Sequence, residues 1–323
     1  MDTFITNESA LEFWRQNRRY RKGSVYRQSW KRPPVESPGA FALRHGEDWG
    51  LTLPLDIMVS TLGSRRPSNA IRPRVCSKPL PEGAFVSVGN GLYVSTPEFC
   101  FFQMASEYPF AKLIALGFEL CGSYSMPVKV FPGAQQDNSD QPVYNLLQLT
   151  NKKKLKTFTD RMDGWTGHRK AKKASRYIAN NSASPMESIL TILLTLPYKY
   201  GGYGLSMPEL NGRIYPEKGT KKFSGREFYR GDLLWRNAGV VAEYNSDIEH
   251  SSPERIARDA IRRSDLALCG ITEVTVTKGQ IKNVELLGNV AKQIANKIGK
   301  RLRYKNPEFS KTQRELQRIL FLA

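Results

Sequence analysis

The stretch GDLLWRNAGVVAEYN, residues 231–245, places one carboxylate in each of two consecutive apolar runs. Asp232 precedes LLW, and Glu243 interrupts AGVVAEYN. Each run predicts a strand, and a tight turn near Asn237 would make the two strands antiparallel neighbours. Asp232 and Glu243 would then lie almost opposite each other. Because a buried carboxylate without a partner is costly, this pair predicts a nearby cation.

Two kinds of cation fit this pair. Two adjacent carboxylates repel each other unless a positive charge lies between them. A divalent metal, Mg²⁺ or Mn²⁺, is the first prediction, since Mg²⁺ binds a few carboxylate oxygens and could polarise a phosphodiester. The alternative is a buried ion pair of Glu243 with Arg262 or Arg258. Asp232 has its own alternative, which is to stabilise the turn at Gly231 by local hydrogen bonds.

The segments around this stretch predict a mixed α/β unit. SASPMESILTILLTLP (182–197) predicts a helix, and ELNGRIYP (209–216) and REFYRGDLLWR (226–236) predict strands. After AGVVAEYN, SSPERIARDAIRRSDLALCG (251–270) predicts a helix and ITEVTVT (271–277) a last strand. The order is helix, three strands, helix, strand. Ser184 and Glu187 form a capping-box pattern, so Glu187 is either a cap or a third acid of the site.

The charge of the chain predicts a polyanionic partner. The 323 residues include 49 Lys and Arg against 30 Asp and Glu, a net charge of +19, which favours nucleic acid first and an acidic membrane surface second. Residues 151–180 hold ten Lys and Arg against two Asp, and residues 278–323 hold eleven against three Glu. The residues predicted to contact nucleic acid are Lys152, Lys153, Lys154, Arg169, Lys170, Lys172, Lys173, Arg258, Arg262, Lys300 and Arg301.

Cysteine spacing and hydropathy predict a cytoplasmic protein without membrane association. The four cysteines form no CxxC pair, so a zinc knuckle is not expected. The first residues lack the apolar core of a signal peptide, and no run of about 18 apolar residues occurs.

The remaining patterns predict two domains, residues 1–148 and residues 149–323. In the first, residues 5–23 predict a helix and residues 51–96 short strands, with a hairpin turn at GNG (89–91). Thr96 and Pro97 begin a further helix, and residues 131–142 predict an exposed loop or linker. In the second, the spacing of apolar residues predicts one amphipathic helix. These residues follow one another at intervals of four, three, four and four positions: Leu287, Ala291, Ile294, Ile298 and Leu302.

Residues 184–277 resemble the PD-(D/E)xK nuclease superfamily, and within it the very-short-patch-repair-type endonuclease domains. The matching pieces are SPMES, GDLLW, VVAEYNSDIEH and ERIARDAIRRSD. The resemblance implies an αβββαβ mixed sheet flanked by helices. It also implies that Glu187, Asp232 and Glu243 hold the metal, that His250 assists proton transfer or phosphate binding, and that Arg258 and Arg262 lie on the next helix.

Asn245 departs from the superfamily pattern, which has a lysine two positions after the second acid. The asparagine can ligate a metal through its carbonyl oxygen, but it supplies no charge. Two functions therefore stay open at this point. One is a metal-dependent endonuclease that hydrolyses phosphodiester bonds with Glu187, Asp232, Glu243, Asn245 and His250. The other is a nuclease-type DNA binder without catalysis, acting as an antitoxin-like or transcriptional regulator. Outside these two nucleic-acid functions, a basic protein-interaction module is a third possibility.

The first half of the chain resembles the core of AbiEi-type antitoxins of type IV toxin–antitoxin systems. The pieces that carry this resemblance are PLDIMVS, VSVGNGLYVSTPEFCFFQMA and LIALGFELCGSY. It implies a smaller α+β domain and a cognate toxin or other protein as a possible partner.

Overall fold

A computed structural model describes residues 2–20, 27–29, 50–65, 67–128, 141–216, 226–245, 253–302 and 307–322. The chain divides into two compact units, which we call the N-terminal unit (Met1–Arg176) and the C-terminal unit (Tyr177–Ala323). Each contains a mixed sheet and helices, so the mixed α and β class predicted from the sequence is confirmed. The predicted boundary at 148/149 falls inside the N-terminal unit. No helix among the described ranges is both long and apolar enough to cross a bilayer.

The N-terminal unit contains a six-stranded mixed sheet in the order β2-β5-β6-β1-β3-β4. Its strands are β1 (Thr3–Ile5), β2 (Arg27–Ser29), β3 (Leu55–Val59), β4 (Ile71–Val75), β5 (Phe85–Gly89) and β6 (Leu92–Ser95). Its helices are α1 (Asn7–Tyr20), α2 (Pro97–Glu107), α3 (Phe110–Leu120), α4 (Lys152–Asp160) and α5 (His168–Ala174).

Local signals place most of these elements where the sequence predicted them. Asn90 and Gly91 adopt φ of 50° and 75° in the turn between β5 and β6, a backbone conformation that these two residue types tolerate best. The Thr96 hydroxyl caps α2 by accepting a hydrogen bond from Phe99 N. The predicted loop at 131–142 lies largely outside the described residues.

The C-terminal unit has a four-stranded mixed sheet in the order β10-β9-β8-β7. Its elements are α6 (Pro185–Thr195), β7 (Glu209–Ile214), β8 (Tyr229–Trp235), β9 (Val240–Asn245), α7 (Pro253–Leu268), β10 (Thr272–Thr277), α8 (Lys278–Lys282), α9 (Val284–Lys297) and α10 (Pro307–Phe321). From α6 to β10 the order is helix, three strands, helix, strand, as the sequence predicted. β7, β8 and β9 are antiparallel neighbours, and β10 runs parallel to β9.

The tail differs from the sequence prediction in two ways. Helix α9 buries Leu287, Ala291 and Ile294 as expected, but it ends at Lys297, before the last two residues of the predicted stripe. Gly299 adopts φ of 68° directly after it, which is the left-handed conformation that commonly ends helices. The second helix, α10, was not predicted.

Candidate functional site

Two features are candidates for function, one in each unit. The carboxylate cluster is Glu187, Asp232, Glu243 and Glu273 of the C-terminal unit. The basic surface is the set of lysines and arginines on α4 and α5 of the N-terminal unit.

Strands β8 and β9 bring Asp232 and Glu243 to neighbouring positions. In the register of these two strands, the last paired residues are Leu233 and Ala242. The next residue on each strand is Asp232 or Glu243, so the two acids lie at neighbouring positions. Asp232 Oδ2 accepts a hydrogen bond from Tyr244 N at 2.8 Å. The Asp232 carboxylate thus bonds the backbone of β9 just beyond the paired residues.

Gly231 makes room for the Val241 side chain, beside the Glu243 carboxylate. A Cβ atom at position 231 would lie 2.4 Å from Val241 Cγ2 and 3.6 Å from Glu243 Oε1. Since real Cβ atoms do not approach other atoms so closely, a larger residue would push β9 away from β8. The glycine before Asp232 is therefore part of the local geometry of the cluster.

Helix α6 presents Glu187 at its first turn. The Ser184 hydroxyl accepts a hydrogen bond from Glu187 N at 3.1 Å, so Ser184 is the N-cap as predicted. The other half of the predicted capping box is different, because Glu187 Oε2 accepts from Ala183 N at 2.9 Å, one residue before the cap. The same oxygen also accepts from Asn211 Nδ2 at 2.8 Å. Glu187 therefore both caps α6 and binds β7.

Arg262 of α7 is the cation that meets the cluster. Its guanidinium makes a close ion pair with Glu243 Oε1, and its Nε lies 3.4 Å from Glu273 Oε2. Arg262 also donates a hydrogen bond to Arg230 O at 2.8 Å and lies over the Tyr229 ring. The ion pair between Glu243 and Arg262, the alternative to a metal in the sequence prediction, is the arrangement present.

Burial and repulsion between neighbouring carboxylates raise the pKa of three acids of the cluster. Burial first, and then the charge of Asp232, raise the pKa of Glu187 to about 7. The same two causes raise the pKa of Glu243 to about 9, although Arg262 opposes the shift. Burial also raises the pKa of Asp232. One arginine therefore does not balance all of these acids in their ionised forms.

These raised pKa values predict that stability falls as pH rises. A carboxyl whose pKa is higher in the folded state binds its proton more tightly there, so its contribution is complete below about pH 4.5 and is lost as pH approaches 7 for Glu187 and 9 for Glu243. We expect the free energy of unfolding of the C-terminal unit, measured in EDTA, to decrease between these limits by up to about 1.4 kcal/mol per pH unit for each group.

The variant that checks this prediction is Glu187→Gln. It should flatten the pH dependence between about pH 4.5 and 7. Glu285→Gln, at an exposed position in the first turn of α9, is the matched control and should leave the profile unchanged. An unchanged profile in Glu187→Gln would contradict the assignment.

The cluster does not fit a metal ion as it stands. Its oxygens are of the type that Mg²⁺ prefers, but Glu243 is paired with Arg262, and Asp232 Oδ2 and Glu187 Oε2 already accept hydrogen bonds. Within the described part of the chain, no group of three His, Cys, Asp or Glu side chains is arranged to hold a metal. His250 lies outside the described residues.

Two further predicted residues of the C-terminal unit take structural positions. Asn245 pairs with Thr277 at the end of β9 and β10. Lys300 donates a hydrogen bond to Gly204 O, which holds the end of α9 against the glycine-rich turn before β7. Arg258 and Arg301 are exposed.

Two residues that contribute to the cluster were not predicted. Glu273 gave no signal, since it alternates with valine in the strand sequence TEVTVT as an ordinary polar residue would. Asn211 adopts φ of 51° within β7, and a single asparagine in a short strand does not predict that conformation. Both join the cluster through tertiary contacts.

The basic surface combines free cations with cations already used in the fold. Lys152 donates to Arg176 O, Lys170 donates to Tyr108 O, and Lys172 pairs with Asp160 at 3.3 Å. Lys173 lies over the Phe110 ring. The cations that are exposed and form no side-chain ion pair with any described residue are Lys153, Lys154 and Arg169.

Comparison with known protein families, with curated proteins and with solved structures found no match for this chain. The resemblances given above therefore stay predictions.

Proposed function

We propose that this protein binds nucleic acid, in the first place DNA, through the basic surface of α4 and α5. We further propose that the C-terminal unit is a PD-(D/E)xK-type fold in which an arginine, and not a metal ion, neutralises part of the carboxylate cluster. The observation that carries the proposal is the ion pair of Arg262 with Glu243, together with the exposed cations Lys153, Lys154 and Arg169, which pair with none of the described acids.

Charge and exposure support binding to phosphates. Each Lys or Arg that neutralises a phosphate releases counterions, which favours association at moderate salt. Lys153 and Lys154 lie in the first turn of α4, and Arg169 lies in the first turn of α5. Because these side chains form no ion pair with a described residue, they can bind phosphates without breaking any of the ion pairs described.

Element order supports the proposed fold of the C-terminal unit. The order αβββαβ, with acids on the first helix and on the second and third strands, is the arrangement that the nuclease resemblance implies. Asn245 replaces the expected lysine, and Arg262 is bound to the second acid. Both differences favour binding without hydrolysis. The antitoxin-like role of the N-terminal unit and a cognate toxin as a partner remain proposals on resemblance alone.

A metal-dependent endonuclease is the second candidate, and one observation favours it. The pKa values of Glu187 and Glu243 are raised to about 7 and about 9, and clusters of strongly shifted carboxyls are typical of functional sites. A divalent cation would relieve the repulsion that raises them. This candidate requires Arg262 to release Glu243, since the guanidinium and a metal ion repel each other.

Supercoiled plasmid distinguishes the two candidates. The wild type and the double variant Asp232→Ala/Glu243→Ala are incubated with plasmid in Mg²⁺ and, separately, in Mn²⁺. We expect the wild type to bind the plasmid and so to shift its band in a gel. We also expect the wild type to nick the plasmid no more than the double variant does. Cleavage by the wild type that the double variant lacks would overturn the first proposal and establish the second.

A further inference from the structure

A cavity of about 510 Å³ opens in the N-terminal unit, between strands β3 and β4, helix α2 and the segment that joins α4 to α5. Its size falls in the range of small-molecule sites, which is about 300 to 1,000 Å³. Neither the basic surface nor the carboxylate cluster uses it. Its wall, floor and mouth differ in chemistry.

One wall is apolar and largely aromatic. Phe99, Phe102 and Met58 are buried and line the cavity, and Trp165 lies half-buried at its side. Such a wall suits the apolar part of a ligand, since small-molecule sites are lined mainly by apolar and aromatic side chains.

The floor of the cavity is polar and fixed by internal hydrogen bonds. Asn7 N bonds Gln103 Oε1 at 3.3 Å, and Asn7 Nδ2 bonds Glu107 Oε1 at 2.6 Å. Asn7 adopts φ of 49°, an uncommon conformation for a residue other than glycine. Neither of the described contacts of the Glu107 carboxylate uses Oε2, which leaves this oxygen able to accept from an amino group. The floor is therefore preorganised and not a loose surface.

The mouth of the cavity is positively charged. Arg74 is held between Asp56 at 2.7 Å and Glu107 at 3.1 Å, so its charge is used within the fold. Arg65 and Lys78 are exposed and line the same cavity. Lys78 Nζ donates a hydrogen bond to Gly164 O at 2.9 Å and lies over the Trp165 ring. Both of these described partners are neutral. Two cations at the mouth are thus available to an anion.

The geometry points to a binding site for a nucleoside 5′-phosphate. The planar base lies against Phe102 and Trp165, and the phosphate lies between Arg65 and Lys78. Cations and an apolar ring wall together select a ligand that has both a flat body and an anionic end.

The place of the cavity in the fold favours this class of ligand. Trp165 and Gly164 belong to the segment between α4 and α5, which are the two helices of the basic surface. The cavity and the basic surface thus adjoin the same segment. The inference therefore rests on the proposed function in one respect, since the nucleotide is either free in solution or part of a bound strand.

Tryptophan fluorescence tests the site with deoxyadenosine 5′-monophosphate as the probe. We expect saturable quenching that is lost in Trp165→Phe, and an affinity at least about tenfold weaker in Arg65→Ala/Lys78→Ala. The matched control is Lys292→Ala/Lys311→Ala, which removes two exposed cations of α9 and α10 that do not line this cavity. It should bind the probe like the wild type. Deoxyadenosine and inorganic phosphate should each bind more weakly than the nucleotide.

Two results would overturn the inference. One is the absence of saturable quenching by the nucleotide and by a 5′-phosphorylated single strand alike. The other is equal affinity in the wild type and in Arg65→Ala/Lys78→Ala. Quenching by the strand but not by the free nucleotide would assign the site to a nucleotide of bound nucleic acid. Duplex binding that persists while both probes fail would leave the proposed function standing and remove only the cavity site.

Discussion

Replacing Arg262 with alanine should lower the free energy of unfolding of the C-terminal unit by about 3 kcal/mol at neutral pH. The substitution leaves Glu243 and Glu273 without their cation, and their side chains are only 16% and 11% exposed. It also removes the hydrogen bond to Arg230 O. Losing one partner of a buried pair is costly because the remaining buried carboxyl oxygens are left without their hydrogen-bond donor, whether or not they are ionised. Urea unfolding, followed by hydrogen exchange in β8 and β9, measures the change in this unit.

The neighbouring residue on α7 supplies the matched control. Arg263 is exposed, and its described side-chain contact is a hydrogen bond to Asp259 O at 3.3 Å, so Arg263→Ala should change stability by less than about 0.5 kcal/mol. Arg262→Met combined with Glu243→Gln should recover part of the loss, because the buried carboxyl that depends on the guanidinium is also removed. Equal stability of Arg262→Ala and Arg263→Ala would show that the ion pair does not hold the cluster.

Removing three cations from the basic surface should weaken DNA binding about 100-fold or more at low salt. The variant is Lys153→Ala/Lys154→Ala/Arg169→Ala, which changes only exposed side chains without ion pairs to described residues. Each lost phosphate contact lowers the slope of log affinity against log salt by about 0.9, so the slope should become shallower by roughly 3. Fluorescence anisotropy of a labelled duplex between about 50 and 200 mM salt measures both quantities.

Two controls separate this surface from the general charge of the chain. The charge-conserving variant Lys153→Arg/Lys154→Arg/Arg169→Lys should retain the wild-type slope. Lys292→Ala/Lys311→Ala/Arg314→Ala removes the same net charge from exposed positions on α9 and α10, and it should change the slope by much less than 3 units. An equal effect of the two alanine variants would mean that binding is spread over the whole basic chain.

The C-terminal unit was predictable because its signals are local. Capping residues mark the start of α6, apolar runs mark β8 and β9, and a short turn joins the two strands. The spacing between Asp232 and Glu243 then sets their register directly. Arg262 was identified only as one of two arginines for an ion pair, since the side of α7 that faces the sheet depends on packing.

The sheet of the N-terminal unit was less predictable. Strand β1 is only three residues long and pairs in parallel with β6, almost 90 residues further along the chain. So short a segment has no readable period, and its pairing depends on long-range contacts. The sequence therefore predicted the later strands and α1, but not β1.

Helix α10 was missed for a different reason. Its buried positions include the polar residues Gln313 and Gln317 beside Leu316 and Leu320. Tyr203 donates a hydrogen bond to Gln313 Oε1 at 3.3 Å, and Gln317 Nε2 donates to Ile281 O at 2.8 Å. Because glutamines occupy part of the buried face, the apolar residues alone do not repeat at the helical period. The segment therefore has the composition of an exposed basic tail, and the sequence did not predict a helix.

The most direct measurement is duplex DNA affinity in EDTA, followed by the same titration and product analysis in Mg²⁺. Binding by the basic surface with an arginine-neutralised cluster predicts that Mg²⁺ gives no gain in affinity, because it only competes for the phosphates, and that the DNA stays intact throughout. Binding that requires Mg²⁺, or cleavage that disappears in Asp232→Ala/Glu243→Ala, would contradict it.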